Sequence, residues 1–231
     1  MNKSPVQRTA FFCVAAVILL LTRQAQAHIL PGEGGGFLSG LEHPWSGWDH
    51  ICAMVAVGLW GAQLGKPAIW VLPVTFPLIM AFGGFLGLIG VPLPGDEIGI
   101  AASAILLGLM VLLAARPPLA VAMILVGIFG LFHGYAHGHE LPPGDNGLLY
   151  SIGFVVATGT LHALGITIGI IHLWKPGRIL LRAAGAAITL AGIVFMVQAF
   201  HQEPEVPTTS PAAGMILPAG TRTLQRSMDA S

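Results

Sequence analysis

The sequence predicts an all-α membrane protein, a bundle of six transmembrane helices behind a cleaved signal peptide. Three observations carry this. Only 9% of the 231 residues are charged, against roughly 25% in soluble domains, and 55% are hydrophobic, with a mean hydropathy of +0.80. Too few charges remain to cover a surface in water, so lipid must be the solvent for most of the chain. Six apolar stretches follow one another between turn signals. The charges between those stretches are sorted by sign.

The N-terminus comes first. Lys3 and Arg8 form a basic start, Phe11 to Leu21 is an apolar run, and Ala25-Gln26-Ala27 supplies small residues where a signal peptidase reads. The run is shorter than the ~20 residues a span needs, so residues 1–27 read as a signal peptide. Cleavage makes His28 the first residue. Losing Lys3, Arg8 and Arg23 leaves seven basic residues against ten acidic ones, a net charge of −3.

Residues 28–200 form the transmembrane domain. The spans are expected at Trp48–Leu64, Ala68–Ile89, Ile98–Ala114, Leu119–Ala136, Leu148–Leu173 and Ile179–Phe200. Gly65-Lys66-Pro67, Val91-Pro92-Leu93-Pro94-Gly95, Arg116-Pro117-Pro118, Pro142-Pro143-Gly144 and Lys175-Pro176-Gly177 punctuate them. With the N-terminus outside, Lys66, Arg116, Lys175 and Arg178 all fall in cytoplasmic loops, and Arg182 lies just inside the last helix. Asp96, Glu97, Glu140 and Asp145 fall outside. That is the positive-inside pattern of the inner (cytoplasmic) membrane of a bacterium, with both ends of the mature chain periplasmic. Residues 201–231, rich in Pro, Thr, Ser and Ala, read as a disordered periplasmic tail. Gly and Ala within the spans favour close helix packing.

Nine histidines in so apolar a chain demand an explanation. In His43-Pro44-Trp45-Ser46-Gly47-Trp48-Asp49-His50, Pro44 and Gly47 place His43 on a turn above the first helix. Asp49 and His50 lie in its first turn, and Met54 shares a face with His50. Asp49 also suits a helix N-terminus through the dipole. In the second group, His133 and His137 stand at i,i+4, a spacing that lets two imidazoles share a metal ion. His139 and Glu140 then follow in the outer loop. Both groups reach the same membrane depth. The third is His162, about halfway along the fifth span, with Thr158 one turn earlier on the same face. A lone histidine there could simply bond a neighbouring carbonyl. An ionisable side chain that deep nonetheless points to function. His28, as a free amine beside its own ring, is a further candidate chelator.

These donors suit divalent Ni, Co or Zn, and the near absence of thiolate argues against copper(I). No nucleotide-binding loop is present, and no basic patch for nucleic acid. Two cysteines, Cys13 and Cys52, give no disulfide framework.

At these residues the sequence resembles the HupE/UreJ family of hydrogenase and urease accessory proteins. HPWSGWDH fits its H-P-x-x-G-x-D-H signature, FHGYAHGHE its F-H-G-x-A-H-G-x-E segment, and ATGTLHALG its fifth-helix histidine motif. The resemblance runs to about Phe200. It implies a nickel permease, with cobalt as a variation, and a link to nickel-enzyme maturation proteins. Its metal residues would be His43, Asp49, His50, His133, His137, Glu140 and His162.

The expected function is inward secondary transport of a divalent ion, not an enzymatic reaction. The outer residues would capture the ion, with Met54, Thr158 and His162 lining the path below. Ligands must be deprotonated to bind, so uptake should weaken as pH falls through the histidine range. A haem protein for electron transfer is the alternative, through His133 and His162, but it leaves Asp49 and Glu140 without purpose. A metallohydrolase would need H-E-x-x-H, which the chain lacks. Finally, Gly40-Leu41-Glu42-His43 echoes Gly130-Leu131-Phe132-His133, as two three-helix halves of inverted topology would place them.

Overall fold

The computed structural model describes residues 36–139, 141 and 146–201. The signal peptide, His28, Glu140, Asp145 and the tail beyond His201 lie outside the described residues. Within them the chain is helical throughout, without a strand. The helices are α1 (Gly36–Ser46), α2 (Trp48–Leu64), α3 (Ala68–Leu88), α4 (Asp96–Leu113), α5 (Leu119–His139), α6 (Gly147–Gly169) and α7 (Lys175–His201). A 3₁₀ turn, Ile170–Leu173, follows α6.

Helices α3 to α7 are each long and apolar enough to cross a membrane, α6 together with its 3₁₀ turn. The expected first span, α2, has 17 residues, short of the usual ~20. Its missing length is preceded by α1, an element the sequence did not announce. His43 therefore sits in a helix and not on a turn. Pro44 lies inside α1 without ending it, and the break comes at Gly47, whose backbone is extended.

Three other boundaries shift for recognisable reasons. Asp96 and Glu97 belong to the first turn of α4, where carboxylates meet the positive end of the helix dipole. His139 is the last residue of α5 and not part of a loop. Lys175-Pro176-Gly177, expected as a break, opens α7. Proline is tolerated in a first turn because its missing N–H would have had no partner there.

Polarity is turned inside out relative to a soluble protein. Leu148, Ile179, Trp70 and Phe200 are among the most exposed side chains, whereas His50, His133, His137, Thr158 and His162 are buried. The helices pair as α3 with α5, α4 with α7, and α2 with α6, while α1 also lies on α6. Glycine allows these approaches. A Cβ on Gly134 or Gly138 would fall on the carbonyls of Met80 or Gly84, and one on Gly58 would fall on the His162 carbonyl. With lipid as the alternative, van der Waals contact between closely approaching backbones holds such pairs together.

Side chains cap the C-terminus of α4, at the end opposite the histidines. Trp60 Nε1 donates to the Ala115 carbonyl at 2.9 Å, Gln63 Nε2 to Val111 at 3.2 Å, and Arg182 Nε to Leu112 at 2.8 Å. They satisfy carbonyls that a helix end leaves without N–H partners.

Candidate metal site

Gly47 builds the first part of the site. A Cβ there would sit 2.6 Å from Asp49 Oδ1 and 2.9 Å from His50 Nδ1, so glycine leaves the space these two atoms use to meet. Asp49 Oδ1 accepts from the His50 backbone N–H at 2.8 Å and from its Nδ1 at 2.7 Å. The carboxylate thus fixes the His50 ring and its tautomer, as carboxylates behind metal-binding histidines do.

On its other side, His50 Nε2 lies 2.7 Å from His137 Nε2. These residues are 87 positions apart in sequence. A carboxylate oxygen can only accept, so Nδ1 of His50 carries a proton. In the neutral ring Nε2 then accepts, and His137 Nε2 donates. His137 Nδ1 keeps its lone pair, buried without a hydrogen-bond partner.

His133, one turn below His137 on α5, is fixed by its own helix. Its Nδ1 donates to the Phe129 carbonyl at 2.9 Å, which leaves the buried Nε2 unpartnered as an acceptor. The rings of His50 and His133 lie 5.1 Å apart and those of His43 and His137 4.4 Å apart, both edge to face. Burial, reinforced by His50 and opposed by Asp49, pulls the His43 pKa down to about 4, so its ring is neutral at pH 7.

Among the described residues, no three His, Cys, Asp or Glu side chains are arranged as a ready ligand set. The closest pair, His50 and His137, is nearly so. A divalent ion bound to both nitrogens at about 2.0–2.1 Å would hold them roughly 2.9–3.4 Å apart. Binding would also move the proton off His137 Nε2 and turn both rings so that their lone pairs meet at the ion.

The other expected residues separate by position. Met54 is fully buried one turn below His50. Thr158 is fully buried, with its hydroxyl 4.0 Å from the Met80 sulfur. His162 is 1% exposed, and neither ring nitrogen has a hydrogen-bond partner. His139 is exposed and stacks on Tyr135, outside the cluster.

Aromatic walls of the site were not foreseen. Phe76 lies 5.3 Å from both His133 and His162, and Phe154 packs 4.3 Å from His137. An apolar ring on an apolar helix carries no signal in a single sequence. A cavity of about 50 Å³ adjoins the cluster, lined by Met80, Gly84, His137, Tyr150 and Phe154 among others, with room for a few waters.

A helical bundle with an apolar exterior and buried, oriented imidazoles has the character of a membrane protein with a polar interior. The chain belongs to the HupE / UreJ protein family, which matches residues 16–195. It is similar to Protein HupE of Rhizobium leguminosarum bv. viciae, 46% identical over 179 residues, covering 78% of this chain and 93% of that relative. No solved structure matches it. The family is one of membrane accessory and metal-transport proteins associated with hydrogenase and urease, and not of enzymes.

Proposed function

We propose that the chain is a permease carrying Ni²⁺ inward across the cytoplasmic membrane to supply hydrogenase or urease metallocentres. The observation that carries this is the contact of His50 with His137 across α2 and α5, with Asp49 bound behind His50. His43, His50, His133 and His137 capture the ion, and Asp49 orients His50. Glu140 and His28 join the capture from outside the described residues. The ion then passes Met54 and Thr158 to His162.

A transport site must let go of its ion as well as bind it. Two imidazoles that pair with each other when empty suit this, because their facing Nε2 atoms regain a hydrogen bond as the ion leaves. Imidazole and carboxylate do not separate nickel from cobalt by affinity alone, so Co²⁺ is the alternative cargo.

The topology is six spans, α2 to α7, with both ends of the mature chain outside. The halves α2–α4 and α5–α7 are an inverted repeat. In support, α2 packs on α6 as α5 packs on α3, and α4 packs on α7, the exchange a two-fold relation requires.

Uptake of nickel and of cobalt at limiting concentration, in cells expressing the wild-type protein or His50→Ala, tests the proposal. Wild-type cells should accumulate nickel and the variant should not. Equal accumulation by both would sink the role of His50, and preference for cobalt would reassign the cargo.

A further inference from the structure

α3 carries Pro73 and Pro77 four residues apart inside a helix assigned without a break from Ala68 to Leu88. In an α-helix each N–H donates to the carbonyl four residues back. Pro77 has no N–H, so the Pro73 carbonyl receives no bond from its own helix, and Pro73 likewise leaves the Ile69 carbonyl free. Within a membrane, such a carbonyl persists where it faces protein or a cavity, not lipid.

Phe76, one turn beyond Pro73 on the same face of α3, meets the His162 ring of α6 edge to face at 5.3 Å. His162 is buried with both nitrogens lacking a hydrogen-bond partner. Thr158, one turn earlier on α6, finds only the Met80 thioether, a weak acceptor, at 4.0 Å. An imidazole and a hydroxyl on α6 thus lie toward the face of α3 that carries the released carbonyl and the thioether, and Phe76 touches the rings of both His162 and His133.

We infer that the Pro73 carbonyl, released by Pro77, forms with His162 an inner station for the transported divalent ion, with the Thr158 hydroxyl and Met80 thioether beside it. This rests on the reading of the chain as a metal transporter. On leaving the outer imidazoles the ion is received by one imidazole and one backbone oxygen. Neutral donors of mixed type hold it weakly enough for release, and carbonyls freed from helical pairing are the usual means of coordinating an ion at this depth.

Two variants separate this idea from the general effect of a small substitution within the bundle. Pro77→Ala returns an N–H to the Pro73 carbonyl and closes the station, whereas Gly159→Ala adds a methyl to α6 with nothing within 4 Å of it. Ni²⁺ binding is measured on purified protein in detergent, and initial Ni²⁺ uptake in proteoliposomes. Pro77→Ala should keep wild-type affinity, because the outer cluster is untouched, yet lose about tenfold in maximal uptake, the scale of losing one supporting ligand. Gly159→Ala should match the wild type in both.

Wild-type uptake by Pro77→Ala, or equal losses in the two variants, overturns the inner station and leaves the transport reading intact. No uptake by the wild type overturns that reading instead. If Pro77→Ala loses affinity as well, its fold has changed, and Thr158→Val with Met80→Leu decides without altering the backbone. That pair should lower maximal uptake at unchanged affinity, and wild-type uptake overturns the station.

Discussion

Replacing Asp49 by asparagine tests how the outer site works. Asn keeps an oxygen where Asp49 Oδ1 accepts from His50 N at 2.8 Å and Nδ1 at 2.7 Å, but it removes the charge. A hydrogen bond to an ionised group contributes about 1.5–3 kcal/mol and a neutral one about 0.5–1.5. The orientation of His50 should therefore weaken by roughly 1–1.5 kcal/mol, or about 5- to 12-fold in nickel affinity. Asp49→Ala removes the acceptor altogether and should cost up to about 100-fold, the upper range for an outer-shell partner of a metal ligand. Calorimetric titration of Ni²⁺ into the purified protein reads both. Because Asp49 acts through His50, Asp49→Asn should have no further effect in a His50→Ala background. An undiminished effect in that background would make Asp49 a direct ligand and refute the argument. Unchanged affinity of Asp49→Ala would remove it from the site.

Gly47→Ala should imitate the loss of Asp49, since its Cβ would press on both Asp49 Oδ1 and His50 Nδ1. Nickel affinity should fall about tenfold or more with helix content unchanged by circular dichroism. Gly134→Ala forces a Cβ onto the Met80 carbonyl and should destabilise the protein by about 1–3 kcal/mol, seen as a lower Tm in detergent. Gly159→Ala, with nothing within 4 Å of the new Cβ, should be neutral or stabilising by up to about 1 kcal/mol through helix propensity. Equal Tm shifts in the two variants would refute the packing account.

Much of the fold was legible because the bilayer makes its demands locally. Trp48 to Leu64, Leu119 onward and Leu148 onward read as helices from apolar length between turn residues, and the structure begins elements at or within a residue of each. A backbone in lipid must bond within its own segment, so length and composition suffice. His50, His133, His137 and His162 stood out for the same reason: a polar ring in an apolar run turns away from lipid, and all four are buried. Where punctuation misled, as at Lys175-Pro176-Gly177, the residue's place within the helix mattered more than its identity.

Partnership was not legible. Helices apolar on every side give no periodic clue to which face turns inward. That choice is made between segments, where glycine lets one backbone reach another, as Gly134 does with Met80 and Gly58 with His162. Only those approaches bring His50 to His137, set Phe76 between His133 and His162, and leave His139 outside on Tyr135. By itself the sequence determined the apolar helical segments, the polar side chains within them and the signs of the charges between them, because hydropathy and charge act over a few residues. Which imidazoles meet was decided by tertiary structure alone, because it depends on contacts between helices far apart in the chain.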